Sequence, residues 1–388
     1  MQADVLGAAM TRSKALLWLW ALYPVLMPFY FMGRTLNPGT HKFLSGVPQV
    51  ADYYFAAFMA LVFCSLPFRL PRKTVPVVVA LMAFVAYTGL INGIWAARLE
   101  DLSLLKNTLF YVYDALLFVT CLLLYEQFKE QFLKVTVYAV AASVLLQAIL
   151  SPLAMQHENS RQALFFNDEN QLGYYCLLAA TIFVLGTRRF AIPTSHQTVF
   201  FAALGYLALL SQCRGALVAL GALLFVAVVE RPLRLLLVIG GLVAVYFLIT
   251  LDPAILGKSE ERFVVAGEYD TPETRGYDRI LNYPEHILVG AGEGAYERFR
   301  SALYASEIHS SYGTLLFCYG IIGATMFGVI LFLIARADLR SAMFLIPVFV
   351  YGSAHQGVRA AFFWTMLAVL CCMALHPRSP TRDNASTK

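Results

Sequence analysis

Residues 75–96 read VPVVVALMAFVAYTGLINGIWA and contain no charged side chain. A helix needs about 20 largely apolar residues to cross the hydrocarbon core of a bilayer. This run has that length, and basic residues flank it on both sides, with Arg72 and Lys73 before it and Arg98 after it. The stretch therefore predicts a membrane-spanning helix with one end at each interface.

The composition of the whole chain agrees with this reading. Of its 388 residues, 59% are hydrophobic and 14% are charged, and the mean hydropathy is +0.66. A soluble protein carries roughly 25% charged residues and buries its apolar share in one or two cores. Here the apolar share is too large to hide from water. The composition therefore excludes a soluble globular enzyme, a disordered chain and a nucleic-acid-binding domain, despite the formal charge of +5.

Apolar runs of this kind recur along the chain and predict about twelve membrane helices. The predicted fold class is thus all-α, a single polytopic membrane domain over residues 1–388. With the amino terminus in the cytoplasm, most basic residues of the short connections lie inside, as the positive-inside rule favours. The runs lie at 15–31, 50–67, 75–96, 108–125, 132–150, 171–187, 198–213, 215–229, 235–251, 310–335, 341–354 and 360–375.

One long polar segment, residues 252–309, separates the ninth and tenth predicted helices and lies on the outer side in this orientation. Apolar residues such as Phe263, Ile280 and Ile287 interrupt it. They favour a small folded or substrate-ordered element, whereas the alternative is a disordered excursion.

Charged residues lie within or beside several predicted helices. A charge at membrane depth is costly unless it faces water or a partner, so such residues are functional candidates. Arg214 lies at a polar hairpin tip, residues 211–215, where the alternative is an arginine that snorkels to the interface. Asp114 lies within the fourth helix, where it either takes part in a site or pairs with Arg98 or Lys106 to fix packing. Those two cations could equally meet an anionic ligand.

Arg275 and Arg279 stand at an i, i+4 spacing in the long loop, so on a helix they would point the same way. Two guanidinium groups on one face suit a diphosphate, whose oxygens accept paired N–H bonds. The alternative is pairing with the neighbouring acids Glu273 and Asp278.

Two further residues stand at predicted helix starts on the outer side. Asn170 belongs to the polar stretch 167–171 that opens the sixth helix, and helix capping accounts for only one of those residues. His309 precedes the helix predicted from residue 310. The positive end of the helix dipole favours a neutral imidazole, which a general base requires, although a lone histidine is more often a surface or capping residue.

Several motifs are absent from the sequence. It has no P-loop, no HExxH and no DxD, and its seven cysteines form no CxxC pair. We therefore expect no metal site and no cofactor.

The chain resembles the O-antigen ligase and polymerase family, integral membrane glycosyltransferases that use undecaprenyl-diphosphate-linked glycans on the periplasmic side. The resemblance covers the whole arrangement, from the twelve predicted helices to the large outer loop, and is most specific in the last third. The resemblance rests on a glycine-rich stretch at 287–296 (ILVGAGEGAY), on 307–312 (EIHSSY) and on 319–323 (YGIIG). The family usually has Asn after its essential His, whereas Ser310 follows His309 here. The family's middle-helix Arg, its loop Arg and its helix-opening Asn match Arg214, Arg275 (or else Arg279) and Asn170.

The resemblance implies a GT-C-like fold of about twelve helices in the bacterial inner membrane, with its site facing the periplasm. It further implies metal-independent, inverting transfer of O-antigen glycan from undecaprenyl diphosphate to a sugar hydroxyl of lipid A-core oligosaccharide. The partners would be these two lipids and the membrane, with no nucleic acid. Arg214 and Arg275 would stabilise the leaving diphosphate and His309 would take the acceptor proton. The further residues that we assign to substrate binding are Arg279, Asn170, Arg98, Lys106 and Asp114.

Two alternatives stay open. A polymerase of the same family would use the same residues, with a lipid-linked repeat unit as acceptor. A transporter or flippase for lipid-linked sugars would place its charges along a central cavity and often shows related halves, neither of which the sequence indicates.

Overall fold

The computed structural model describes residues 2–29, 50–155, 161–230, 271, 273–299 and 307–375, with the side chains of 2–13, 230 and 375 left aside. Within these ranges all regular structure is helical, as predicted. Short 3₁₀ helices lie at Leu102–Leu104, Pro284–His286 and Tyr296–Arg298. The α-helices are α1 (Gln2–Leu26), α2 (Val50–Ser65), α3 (Val75–Leu99), α4 (Leu105–Phe128), α5 (Glu130–Ala154), α6 (Glu169–Arg189), α7 (Thr194–Ser211), α8 (Arg214–Glu230), α9 (Asp278–Asn282), α10 (Ser311–Ala335), α11 (Leu339–Ala342), α12 (Leu345–Ala354) and α13 (Ala361–Leu375).

Four of these segments are long and apolar enough to cross a membrane, namely α3, α4 with the 3₁₀ turn before it, α5 and α10. Shorter apolar helices of 10–17 residues lie at Lys14–Leu26, Val50–Ser65, Arg214–Val229, Leu339–Ala354 and Ala361–Ala374. The chain is thus a helical membrane protein. The predicted runs coincide with helices except for 235–251, which lies outside the described residues. A total of about twelve spans stays a prediction, because the described helices that meet the length and hydropathy criteria number four.

The helices form a bundle with a protein-buried centre and an apolar exterior. In α6 every residue from Leu172 to Thr187 is buried, and α13 is buried from Phe362 to Ala374. The peripheral helices instead expose large apolar side chains, with Trp18, Phe225 and Phe332 accessible over 74%, 70% and 62% of their surface. Exposed apolar area on this scale is unfavourable in water, whereas hydrocarbon accommodates it.

The two ends of the bundle carry different polar groups. At one end, Arg189 forms an ion pair with Glu130, and Arg188 Nη1 donates to Ser341 Oγ at 3.0 Å. With the amino terminus in the cytoplasm, as the sequence predicts, this end would be the cytoplasmic one. Because Asn170 and Arg188 lie at opposite ends of the same helix, α6, the site described below lies at the other end of the bundle.

Helix α10 is interrupted at Gly320, whose φ of 67° and ψ of −176° are not helical. A Cβ at this position would lie 2.3 Å from the carbonyl oxygen of Leu288. Only glycine adopts such a conformation at little cost and also permits so close an approach of another backbone. The YGIIG stretch thus breaks the helix where the 287–292 segment meets it.

The 287–292 segment satisfies the backbone groups that the break leaves unpaired. Within a membrane protein an unpaired backbone N–H or C=O costs several kcal/mol unless water or protein satisfies it. Two of the three stretches that carry the family resemblance therefore form one structural unit. The backbone bonds that join them run from Ala291 N to Phe317 O (2.9 Å), from Gly292 N to Cys318 O (2.9 Å) and from Ile321 N to Ile287 O (2.8 Å).

Candidate functional site

The connection between α12 and α13, residues 355–360, lies at the centre of a polar cluster at the end of the bundle. The carbonyl oxygens at the end of α12, just before this connection, accept hydrogen bonds from residues of the turn before α9. Arg275 Nη1 donates to the carbonyl oxygen of Ala354, and Tyr277 Oη donates to that of Ser353 at 2.7 Å. The Arg275 side chain is thereby fixed to the end of α12.

His309 stands just before α10, as the sequence predicted, and its side chain is exposed. Its backbone N–H donates to the carbonyl oxygen of Arg275 at 3.0 Å. Ser310 caps the helix, since its Oγ accepts from Gly313 N at 3.2 Å and donates to Gly352 O at 3.1 Å. Ser310 thus has a capping role, and the His309 side chain beside it is exposed.

Arg214 is the first residue of α8 and is half-buried beside His355. Its neighbour Cys213 has its Sγ 3.7 Å from His355 Nε2. A Cβ at Gly215 would lie 3.0 Å from His355 Cδ2, so the hairpin tip packs directly against the imidazole. His355 O in turn accepts from Ser311 N at 3.2 Å, two residues after His309.

Residues 354–355 contact the segments that carry the three predicted catalytic residues. Arg275 bonds to Ala354 O directly, whereas His355 contacts Cys213 and Ser311, which lie one residue before Arg214 and two residues after His309. Arg275 and His309 come from the long polar segment 252–309, and Arg214 comes from a hairpin tip that precedes it in the sequence. We call this group, together with Asn170 and His355, the His355 cluster. Sequence analysis predicted four of its members, while it did not identify His355.

Asn170 joins the His355 cluster through two partners. Arg161 Nη2 donates to Asn170 Oδ1 at 2.8 Å, and Arg161 Nε donates to the carbonyl oxygen of Ser211 at 3.3 Å. Tyr351 Oη donates to the Asn170 carbonyl oxygen at 3.0 Å, and its ring centroid lies 5.0 Å from that of His355. Arg161, which the sequence analysis did not single out, thus connects the start of α6 with the hairpin tip that bears Arg214.

Asp168, not Asn170, caps helix α6. Its Oδ1 accepts from Asn170 N at 2.7 Å and from Gln171 N at 3.0 Å. Burial raises the pKa of Asp168, although these two N–H bonds oppose that shift. Because the cap is supplied by Asp168, the side chain of Asn170 is available for Arg161.

Arg279 and Arg275 have different surroundings in the structure. It belongs to α9, whereas Arg275 lies in the turn before that helix, so the two guanidinium groups are not presented on one helix face. Arg279 is 1% exposed, its guanidinium lies 5.5 Å from the centroid of the Tyr296 ring, and burial lowers its pKa. Its contacts support the loop, while Arg275 contacts the His355 cluster.

Arg98, Lys106 and Asp114 are not brought together. Arg98 and Lys106 are exposed at the ends of α3 and α4, and Arg98 stacks on Trp95 at 4.9 Å from the ring centroid. Asp114 is 1% exposed within α4. In the described part of the chain, neither cation forms an ion pair with Asp114.

A second polar group next to the His355 cluster is centred on Arg359. Its Nε lies 3.2 Å from Oε1 of the fully buried Glu293, and its Nη2 pairs with Glu307. Arg359 Nη1 also donates to Asn107 Oδ1 at 2.9 Å, and Tyr319 Oη donates to Glu293 Oε2 at 2.6 Å. We call this group the Arg359 cluster. It ties the glycine-rich turn, and the segment just before His309, to the helix bundle.

The charges of the Arg359 cluster stabilise one another. Burial lowers the pKa of Arg359, but Glu293 and Glu307 outweigh it and hold the pKa well above its usual value. Burial raises the pKa of Glu293, while Arg359 and the Tyr319 hydroxyl oppose that rise. Arg359 is therefore permanently cationic and holds two carboxylates.

His355 and Arg359 could have been found by the rule that identified Arg214. Both lie in a short connection between two apolar runs, 341–354 and 360–375. Glu293 lies inside the glycine-rich stretch 287–296 and is its one charged residue, which is the sequence signal that marks it. Within the ranges that the structure describes, no three His, Cys, Asp or Glu side chains gather as a metal site would require.

No family model matches this chain, and none of the curated proteins matches it either.

Proposed function

We propose that this protein is an O-antigen ligase of the bacterial inner membrane. It would transfer glycan from undecaprenyl diphosphate to a sugar hydroxyl of lipid A-core oligosaccharide at the periplasmic face, within a bundle of about twelve membrane helices. The observation that supports this best is that the segments bearing Arg214, Arg275 and His309 meet at residues 354–355. These are the residues to which the family resemblance assigns the reaction, and the hairpin tip that bears Arg214 is separate in the sequence from the long polar segment that bears the other two.

In the proposed reaction, the acceptor hydroxyl attacks the anomeric carbon of the donor sugar. As the new C–O bond forms, the bond from that carbon to the phosphate oxygen breaks and undecaprenyl diphosphate leaves with the electron pair. The proton of the acceptor hydroxyl passes to the exposed His309 imidazole, which acts as general base. Attack opposite the leaving group inverts the anomeric configuration.

The arginines act on the leaving group. Negative charge grows on the diphosphate as the sugar–phosphate bond breaks, so a guanidinium that binds it more tightly in the transition state lowers the barrier. Arg214, at the amino terminus of α8, and Arg275, held at the end of α12, are the groups assigned to this role. Asn170 is assigned to substrate binding beside them.

The test is glycan transfer by purified protein, with lipid-linked O-antigen as donor and lipid A-core as acceptor. His309→Ala and Arg214→Ala should each lower the transfer rate by at least about 100-fold, the usual size of a general-base or charge-stabilising contribution. His196→Ala and Arg336→Ala are matched controls, since both residues are exposed outside the His355 cluster, and both variants should retain the wild-type rate.

Three results would contradict the proposal. Chain growth on lipid-linked repeat units, with no transfer to the core, would identify a polymerase. Movement of the lipid-linked sugar across the bilayer without bond formation would identify a transporter. Unchanged transfer by His309→Ala would remove the general base from the mechanism.

A further inference from the structure

A groove opens at the end of α3, away from the His355 cluster. It encloses about 300 Å³, at the lower end of the range of ligand pockets. One wall is α3 and the other is the segment from the 3₁₀ helix at 284–286 to the glycine-rich turn. Its lining residues are Ile91, Ile94, Trp95, Arg98, Glu285, His286, Val289 and Gly290.

The upper rim of the groove is cationic and aromatic. The Arg98 guanidinium is exposed and lies 4.9 Å from the centroid of the Trp95 ring. Trp95 is itself fixed, because its Nε1 donates to the Gly290 carbonyl oxygen at 3.2 Å and the Arg298 guanidinium lies 4.5 Å from its ring centroid. In the described ranges no carboxylate lies within ion-pair distance of Arg98, and Glu285 contacts His286 instead, at 3.7 Å.

The wall below this rim is apolar and exposed. Leu90, Ile94 and Arg98 stand at i, i+4 and i+8 on α3, so they form one stripe along the helix. Leu90 and Ile94 are 58% and 45% exposed. Leu288, at 60% exposed, flanks the groove from the opposite segment, and Ile322 of α10 is joined to it through a bond from Ile322 N to Leu288 O at 3.4 Å.

We propose that this groove binds the phosphate headgroup of a membrane lipid, with Arg98 on the phosphate and the lipid chains along Leu90 and Ile94. A free phosphate would use the cation alone and would gain nothing from the exposed apolar stripe. An apolar lipid without phosphate would gain nothing from Arg98. The combination of the two surfaces along one helix fits an amphiphile whose anionic group lies at the interface.

The groove differs from an ordinary interfacial arginine in two respects. Arg98 lies in the last turn of α3, where the helix dipole favours any cation, and basic residues near a membrane attract anionic lipids in general. Here, however, the guanidinium stacks on a fixed indole, and residues of the 285–290 segment line the same groove opposite it. Both features arrange the charge for one ligand position.

The test measures retention of dioleoyl phosphatidic acid by the purified protein in detergent, by native mass spectrometry. Wild type should retain one lipid, and Arg98→Ala should lower the affinity by about tenfold, as expected for loss of a charge-assisted contact. Arg336→Ala is the matched control, because Arg336 is an exposed arginine beyond the other end of α10, and it should retain the lipid. Arg98→Lys should recover part of the affinity, since it restores the charge but not the planar stacking.

Two results would overturn the proposal. Equal losses in Arg98→Ala and Arg336→Ala would mean general attraction of anionic lipid to surface cations. Displacement of the lipid by glycerol phosphate, as effectively as by phosphatidic acid, would mean that the groove binds a soluble phosphate. The assay reports binding alone, so its result is independent of whether the protein transfers glycan.

Discussion

Arg359 connects elements that are far apart in the sequence, and its replacement should be costly. It pairs with Glu293 of the glycine-rich turn and with Glu307, and it bonds to Asn107 of α4. Because Glu293 is fully buried, Arg359→Ala leaves its carboxylate without the opposite charge. We expect the free energy of unfolding to fall by roughly 3–5 kcal/mol, the usual cost of breaking a buried pair. Denaturant unfolding in detergent measures it.

A double-mutant cycle separates this charge effect from lost packing. In a Glu293→Gln background the buried charge is gone, so removal of Arg359 should cost clearly less than in wild type. Arg359→Lys should fall between wild type and Arg359→Ala, since one ammonium cannot reproduce the guanidinium fork. Equal costs of Arg359→Ala in both backgrounds would show that the pair carries no coupling energy.

The sequence singled out individual polar and charged residues because such residues are unfavourable in or beside a membrane helix. It did not indicate which of them contact one another. Arg214, Arg275, Asn170 and His309 were predicted one by one, and in the structure the segments that carry them meet in one cluster. His355, at which the hairpin tip and the start of α10 meet, is contributed by a connection that lies far along the chain. Such a contact depends on which helix ends meet, which apolar patterning does not specify.

Among the elements, α10 is the one whose shape depends on a single residue. Alanine at Gly320 would hold a positive φ at a cost of about 1–3 kcal/mol, and its Cβ would also meet the Leu288 carbonyl oxygen at 2.3 Å. We expect Gly320→Ala to lower the free energy of unfolding by more than the cost of the positive φ alone, because the steric clash adds to it. Gly328→Ala is the control in the same helix, because nothing lies within 4 Å of its Cβ position, and it should stay within about 1 kcal/mol of wild type. Similar stability of the two variants would mean that the break tolerates a side chain.

The positions of the helices could be predicted from the sequence, whereas their location at the centre or the periphery of the bundle could not. The runs at 171–187 and 360–375 coincide with α6 and α13, yet these helices contact protein on all sides, whereas α3 and α10 expose apolar residues. Both environments favour apolar sequence, so hydropathy alone cannot separate a central helix from a lipid-facing one. The same limit applies to α9, where the i, i+4 pattern of Arg275 and Arg279 implied a helix that begins only after Arg275.

At the scale of the molecule, the bundle separates two sets of charges. The pairs of Arg189 with Glu130 and of Arg188 with Ser341 lie at the end where the positive-inside rule places the cytoplasm. The His355 cluster and the Arg359 cluster lie at the other end. The proposed transfer between two lipid-borne substrates would need its charged groups at one interface, near the depth of the lipid phosphates, and in the predicted orientation both clusters would lie at the outer one.

The orientation itself can be tested by labelling single cysteines in intact cells with a membrane-impermeant maleimide. Six of the seven native cysteines are buried, so replacement of the exposed Cys64 by Ser provides the background. Ser103→Cys, in the exposed 3₁₀ helix between α3 and α4, should react from outside, whereas Arg340→Cys, on the exposed side of the short helix α11, should react only after the membrane is opened. The reverse pattern would place Arg214, Arg275 and His309 in the cytoplasm, where no periplasmic transfer could use them.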